Sequence, residues 1–393
     1  MAVNTDNKKI KELLTRGVDE IIDRISLEKK LKSGKQLKIK MGVDPTSPNI
    51  HIGRSIPLLK LLDFQELGHK IILIIGDFTG VIGDTSDKES ERPMLDDATV
   101  AKNMKNYIEQ VSKILAIKKC EIHYNSKWLQ LLTYKEISRQ ANIFSVNNFI
   151  ARGNISKRLD AQKRVSLREV LYPLMQAYDS VAVKADVEIG GTDQRFNILA
   201  GRDMQASYGQ NPQDIILNPL IIGLDDRKMS SSWGNTINLL DSAKDMYGKI
   251  MSLGDELIIQ YFLLTTRIDL KKIEKYKKDL ENKKNPMDIK MALAYEITKF
   301  YHSDKQAKLA EDYFTKTFRD KKTPTEMPII KPSAYTLSTA LLESKLVTSK
   351  AESRRLVEQG GIKINQVKVN NLDCALKKGD IIQKGKLFFI KIG

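Results

Sequence analysis

His51-Ile52-Gly53-Arg54 and Lys228-Met229-Ser230-Ser231-Ser232 carry side chains suited to handling phosphate. A glycine such as Gly53 lets backbone approach a ligand closely, a helix start favours an anion, and His51 can donate to a phosphate oxygen. A helix cap with an incidental histidine would look the same. The second segment offers one cation and three hydroxyls on a polar loop, able to close over pyrophosphate and stabilise developing charge; an ordinary surface loop is its alternative. Asp84, Lys88 and Arg92 follow the apolar run Lys70–Gly76. That is where open α/β sheets bind ligands, and two cations there suit a triphosphate as well as a solvated charged loop. Tyr172, Gln176 and Asp179 recur at i, i+4 and i+7 on an otherwise apolar helical stretch. If that face is buried, its polar groups need partners, and a polar small molecule is one; the other reading is an exposed stripe. Gly190-Gly191-Thr192-Asp193-Gln194 suits hydrogen bonding to a ribose or an amino acid, or a strand-to-helix turn capped by Asp193.

These residues need elements to hold them. Asn7 to Leu31 reads as an amphipathic helix stopped by Ser33-Gly34, and Leu37 to Val43 as a strand. A helix is expected from about His51 to Leu67, with Gly68 as its stop and Pro57 tolerable only near the first turn. Lys70 to Gly76 reads as a strand buried on both faces of a parallel sheet. Helices are expected over Asp97–Ala116 and Leu167–Val183, and strands at Val187–Ile189 and Leu220–Ile222. Strands alternating with helices mean an α/β fold. Residues 241–321 look all-helical, with Asn285-Pro286 as a break, and Pro324, Pro328 and Pro332 mark a linker. The last sixty residues read as a small α+β unit, with helices at Leu337–Leu342 and Lys350–Glu358.

At 393 residues the chain has room for two or three domains. It has no apolar run long enough to span a membrane, and Met1 to Arg16 lacks a signal-peptide core. Only Cys120 and Cys374 occur, so reduced thiols and a cytoplasmic location are expected. The net charge of +16 suggests a polyanionic partner, although a Lys-rich bias would also produce it. Its distribution favours the partner: residues 331–393 hold 12 Lys+Arg against 5 Asp+Glu, a net of +7.

Taken jointly with Gly42-Val43-Asp44-Pro45-Thr46, Ile82-Gly83-Asp84 and Asn285-Pro286-Met287, these segments resemble the class I aminoacyl-tRNA synthetases. Within them they resemble the bacterial-type tyrosyl-tRNA synthetases, over nearly the whole chain. Residues 335–393 look like the RNA-binding module first known in ribosomal protein S-four. The resemblance implies a Rossmann-like parallel-sheet catalytic domain over residues 1–235, with an insertion at about 100–166 as the interface of a homodimer. It implies a helical anticodon-binding domain over 236–321, a linker over 322–334 and a basic RNA-binding domain over 335–393. The implied reaction activates L-tyrosine with Mg-ATP and passes it to tRNA(Tyr), with no tightly bound protein metal.

By matching motif positions, Thr46, His51, Lys88, Arg92 and Lys228 would stabilise the departing pyrophosphate. Gly42, Asp44, Gly53, Arg54, Gly191, Asp193, Ser230 and Ser231 would line the ATP site, with Asp193 on the ribose. Tyr172, Gln176 and Asp84 would hold the tyrosine ammonium, Asp179 its phenolic hydroxyl, and Gly42, Asp44 and Gln194 would complete that pocket. Four positions depart from the family pattern. Arg54 replaces a second histidine, Ser231 a second lysine, Lys40-Met41 a Tyr-Cys pair and Glu188 a glutamine. Other readings are a tryptophanyl synthetase, a non-catalytic RNA-binding relative and a cofactor-building adenylyltransferase. The first is disfavoured by Gln176 to Asp179, the second by the retained phosphate-site residues, the third by the helical and basic C-terminal units.

Overall fold

The computed structural model describes residues 2–85, 94–319, 327–344, 346–347, 349–385 and 388–393. Among these, six apolar runs pair into one sheet: β1 (Glu20–Ile22), β2 (Lys38–Val43), β3 (Lys70–Ile75), β4 (Glu121–Tyr124), β5 (Val187–Gly191) and β6 (Asp214–Asn218). Their order is β1-β6-β5-β2-β3-β4. All run parallel except β1, which closes the edge antiparallel to β6. Ile71 through Ile75 of β3 are all buried, the pattern of an inner parallel strand. Each such side chain contributes about 1.5–3 kcal/mol on leaving water. The chain winds from β2 to β4 in one direction and from β5 to β6 in the other. The reversal falls between β2 and β5, where open α/β sheets form a ligand crevice beyond the strand ends.

The helices that matter most are Ile52–Glu66 and Leu167–Val183. The second begins with a capping box, in which the Ser166 side chain and Glu169 each satisfy a backbone N–H. Pro57 lies in the second turn of the first helix, so the Gly53 carbonyl lacks its usual i+4 donor. Three expected elements come out differently. Asn7–Leu31 is two helices, Asn7–Leu13 and Arg24–Lys32, with β1 between them. Gly17 at φ +59° turns the chain there, and Asp23 accepts from the Ser26 N–H to start the second helix. Asp97–Ala116 divides into Asp97–Met104 and Tyr107–Ser112. The strand expected at Leu220–Ile222 is β6 instead, because fully buried Asp214–Asn218 takes the place beside β5.

The chain divides into two compact units, 1–242 with 249–301 and 243–248 with 302–393. In the first unit the apolar helix Ile258–Thr265 packs on Ile52–Glu66. Nearby, Arg16 donates to the carbonyls of Thr266 (3.1 Å) and Ile268 (2.6 Å), and the Tyr301 hydroxyl donates to Ser55 (2.8 Å). The helices between Ile258 and Tyr301 thus share a body with the sheet, whereas a separate helical domain was expected over 236–321.

The second unit contains β7 (Ile329–Ile330), β8 (Ile362–Ile364), β9 (Val367–Lys368), β10 (Ile381–Lys384) and β11 (Phe388–Ile392), ordered β7-β11-β10-β8-β9. Helices Leu337–Glu343 and Lys350–Glu358 share a core with this sheet around Leu337, Leu341, Ile362, Ile382 and Ile390. Part of the expected linker is sheet: Ile329 and Ile330 pair parallel with Lys391 and Ile392. The remainder of that stretch up to residue 326, with Pro324, lies outside the described residues. Among the described residues no helix is long and apolar enough to cross a membrane.

Candidate active site

A cavity of about 500 Å³ opens at the carboxyl ends of β2 and β5, at the reversal of strand order. Its volume suits a small-molecule site. Gly42, Asp44, Thr46, His51, Gly53, Arg54, Asp84, Tyr172, Gln176, Asp179, Gly191, Asp193, Gln194, Lys228, Ser230 and Ser231 all line it. Lys88 and Arg92 lie outside the described residues. A Cβ on Gly42 would meet nothing within 4 Å, so β2 presents bare backbone to the open space.

One end of the cavity is built on the Leu167–Val183 helix. Asp179 is 3% exposed. Its Oδ1 accepts from Trp128 Nε1 at 2.8 Å and its Oδ2 from Asn125 Nδ2 at 3.4 Å. Burial pushes its carboxyl up to about 7, against the opposing charge of Lys40 and those two hydrogen bonds. Two turns earlier on the helix, the Tyr172 hydroxyl donates to Asp44 Oδ2 at 2.8 Å, which leaves the phenolic oxygen able to accept. Asp44 also accepts from Thr79 Oγ1, and Asn125 donates to that same hydroxyl. Burial and the neighbouring carboxylates hold the Tyr172 phenol well above its ordinary range, so it stays protonated. Asp84 accepts from Gln194 Nε2 at 2.7 Å. Acceptors for an ammonium and an acceptor for a distant hydroxyl thus face one space. Tyr172 and Asp179 are buried and Gln176 is half-buried, so the polar stripe is not a solvated helix face.

The other end gathers cations and hydroxyls. His51 precedes the Ile52–Glu66 helix but makes no side-chain cap, and its buried Nδ1 has no partner among the described residues. Burial, then Arg54 and Lys228, bring its imidazole down to about 3, so it is neutral at working pH. Arg54 donates to Tyr107 Oη and Thr46 Oγ1, both at 3.0 Å. Lys228 Nζ pairs with Asp193 Oδ2 at 2.9 Å, and Asn235 ties its loop by accepting from Ser230 N–H and donating to the Lys228 carbonyl. A Cβ on Gly53 would sit 3.0 Å from His51 Nδ1 and 3.2 Å from Ile221 Cγ2. Alanine there gains about 1 kcal/mol of helix propensity, which offsets the crowding. Gly53→Ala is therefore expected to leave the melting temperature nearly unchanged while turnover falls about tenfold by displacing His51, a split measured by calorimetry beside steady-state kinetics.

The sequence did not single out Asn125, Trp128, Thr79 or Tyr107, which lie far from the motifs they support. Lys40 and Glu188, noted as two separate departures, form one ion pair at 2.9 Å. Among the described residues no group of three or more His, Cys, Asp or Glu is placed to hold a metal ion.

Two family models match the chain: tRNA synthetases class I (W and Y) over residues 32–319, and the tyrosine–tRNA ligase SYY-like C-terminal domain over 318–393. Tyrosine–tRNA ligase 2 of Clostridium acetobutylicum is 46% identical over 389 residues, covering 97% of both chains. Tyrosine–tRNA ligase of Thermotoga maritima is 42% identical over 393 residues, covering 99% of this chain and 98% of its own. Two solved structures share the fold. A C-terminally truncated mitochondrial tyrosyl-tRNA synthetase of Aspergillus nidulans has a TM-score of 0.67 at 21% identity, over 79% of this chain and 94% of its own. Tyrosyl-tRNA synthetase of Archaeoglobus fulgidus, complexed with L-tyrosine, has 0.60 at 22%, over 77% and 99%.

Proposed function

This chain belongs to the class I tyrosyl-tRNA synthetases, and we propose the following division of labour among its residues. It is a tyrosine–tRNA ligase: it activates L-tyrosine with ATP and transfers it to tRNA(Tyr). The observation that carries the assignment of roles is a single cavity, with a buried carboxylate at one end and His51, Arg54 and Lys228 at the other.

Asp179 accepts the phenolic hydroxyl of tyrosine. Tyr172, Gln176 and Asp84 hold the ammonium, with Asp44 and Gln194 fixing Tyr172 and Asp84 through the hydrogen bonds above. The substrate carboxylate oxygen then attacks the α-phosphorus of Mg-ATP in line. The bond to the bridging oxygen breaks, and pyrophosphate leaves with its electron pair. No side chain needs to form a covalent bond; positioning and charge stabilisation lower the barrier. Thr46, neutral His51, Arg54 and Lys228 surround the departing charge, with Ser230 and Ser231 on the same loop. Asp193 takes the ribose, over the bare backbone of Gly191. Lys228 and Asp193 pair directly, and nucleotide binding exchanges that contact for one to ribose and one to phosphate. In the second step the terminal ribose hydroxyl of tRNA attacks the acyl carbon and AMP departs.

The basic C-terminal unit holds the tRNA. Arg354 and Arg355 are exposed on the Lys350–Glu358 helix. Reversing both to Glu is expected to raise the KM for tRNA about tenfold or more, flatten its dependence on salt, and leave ATP–pyrophosphate exchange unchanged. Equal loss of charging and exchange in parallel assays would contradict this split.

The enzyme works as a cytoplasmic homodimer joined through residues 100–166. Exposed Leu131, Tyr134 and Val146 support that face. The test of the functional assignment is aminoacylation of tRNA(Tyr) with labelled tyrosine by the whole chain. Accumulation of alkali-labile tyrosyl-tRNA supports it, and pyrophosphate exchange without charging would contradict it.

A further inference from the structure

Directly beneath the amino-acid end of the cavity the chain buries a lysine and a glutamate. Lys40 and Glu188 are partners across β2 and β5, with side chains 0% and 2% exposed and 2.9 Å apart. The Lys40 ammonium has a partner for each proton: Glu188 Oε1, Ser180 Oγ at 2.8 Å and the Gln176 carbonyl at 3.1 Å. The Glu188 carboxylate also accepts from Ser180 Oγ at 3.0 Å, Gln176 Nε2 at 3.4 Å and Gln213 Nε2. A buried ion pair is weak as a source of stability, since apolar groups of similar volume often serve as well or better. Here most of the bonds end on one helical turn, residues 176–180, and that turn carries Gln176 and Asp179.

We propose that Lys40 and Glu188 are positioning residues for tyrosine recognition: together they fix the 176–180 turn, with Gln176 and Asp179 on it, against the sheet. The proposal rests on the tyrosine-activating role of the cavity. The direct contacts of Asp179, Trp128 and Asn125, are both neutral. The charged and titratable groups around it are Lys40 from β2 and Glu188 from β5 below, Tyr172 on its own helix, Asp44 beyond Thr79 and Asn125, and His123 of β4 against the Trp128 ring. Among the influences on Asp179, Lys40 is the largest that favours the ionised form, and Glu188 opposes it less strongly. Removing the pair therefore moves the Asp179 titration upward. Tyrosine donates most strongly to a charged acceptor, so its capture weakens at neutral pH and recovers in alkali.

The test uses the whole chain with Lys40→Met, and with Lys40→Met combined with Glu188→Gln, which leaves no unpaired buried charge if the single variant does not fold. The readout is kcat/KM for tyrosine in ATP–pyrophosphate exchange across about pH 6 to 9, with KM for ATP alongside. Expected is an acid limb displaced upward by about one pH unit, a loss of about tenfold at neutral pH, and an unchanged KM for ATP. Lys40→Arg, which keeps the charge, is expected to keep the limb in place. A limb unmoved in the double variant, or a loss shared equally by tyrosine and ATP, would overturn the proposal. Exchange absent from the unmodified protein would instead take down the functional reading on which it stands.

Discussion

Asp179→Ala is expected to lower kcat/KM for tyrosine in ATP–pyrophosphate exchange by about a thousandfold, with KM for ATP nearly unchanged. The substitution removes a charge-assisted bond to the phenolic hydroxyl, worth about 1.5–3 kcal/mol, and leaves that hydroxyl buried without an acceptor. It also strands Trp128 Nε1, whose bond to Asp179 is 2.8 Å. About 4 kcal/mol in all is a factor near a thousand. Rejection of phenylalanine by tyrosyl enzymes is the standing example of this asymmetry between a made and a missing bond. The pH dependence has a definite sign. Asp179 sits at about 7, so the acceptor is ionised above that value, and kcat/KM for tyrosine rises as pH increases through it. Asp179→Asn, which keeps the shape and loses the titration, is expected to flatten that limb.

His51→Ala is expected to cost about a hundredfold to a thousandfold in kcat, the usual effect of losing one preorganised donor to developing charge. KM for tyrosine is expected to stay within about twofold, because His51 lies at the phosphate end of the cavity. Its contribution carries no titration in the working range. Burial, with Arg54 and Lys228 beside it, brings the imidazole down to about 3, so it donates as a neutral ring across neutral pH. A pH–kcat profile in which the unmodified protein loses a limb near the ordinary histidine value, and the alanine variant does not, would contradict this.

The elements that hold these groups were legible where the pattern was local. Leu167–Val183 and Lys350–Glu358 follow from a serine cap and an apolar period, and both form over those bounds. β3 follows from its apolar run. The failures arise where distant partners decide. Glu20–Ile22 becomes a strand because β6 offers an open edge, and a helical period within the segment cannot reveal that. The sheet-bearing body takes in residues 249–301, beyond the expected 235, because apolar Ile258–Thr265 covers the Ile52–Glu66 helix.

The same distinction runs through the site. His51 announces itself in a four-residue motif where a helix begins, and Tyr172, Gln176 and Asp179 by their spacing along one helix. Asn125 and Trp128 are isolated polar and aromatic residues in the sequence, and only the fold brings them onto Asp179. Lys40 and Glu188 appeared as unrelated departures because parallel strands pair residues far apart in the chain. Their charges make sense only together.

The family model spans enzymes for two aromatic amino acids, so the central claim is that this cavity, through Asp179, selects tyrosine. ATP–pyrophosphate exchange by the whole chain, measured separately with tyrosine, tryptophan and phenylalanine, tests it most directly. Rapid exchange with tyrosine and background rates with the other two are expected. A rate with tryptophan or phenylalanine comparable to that with tyrosine would contradict the account.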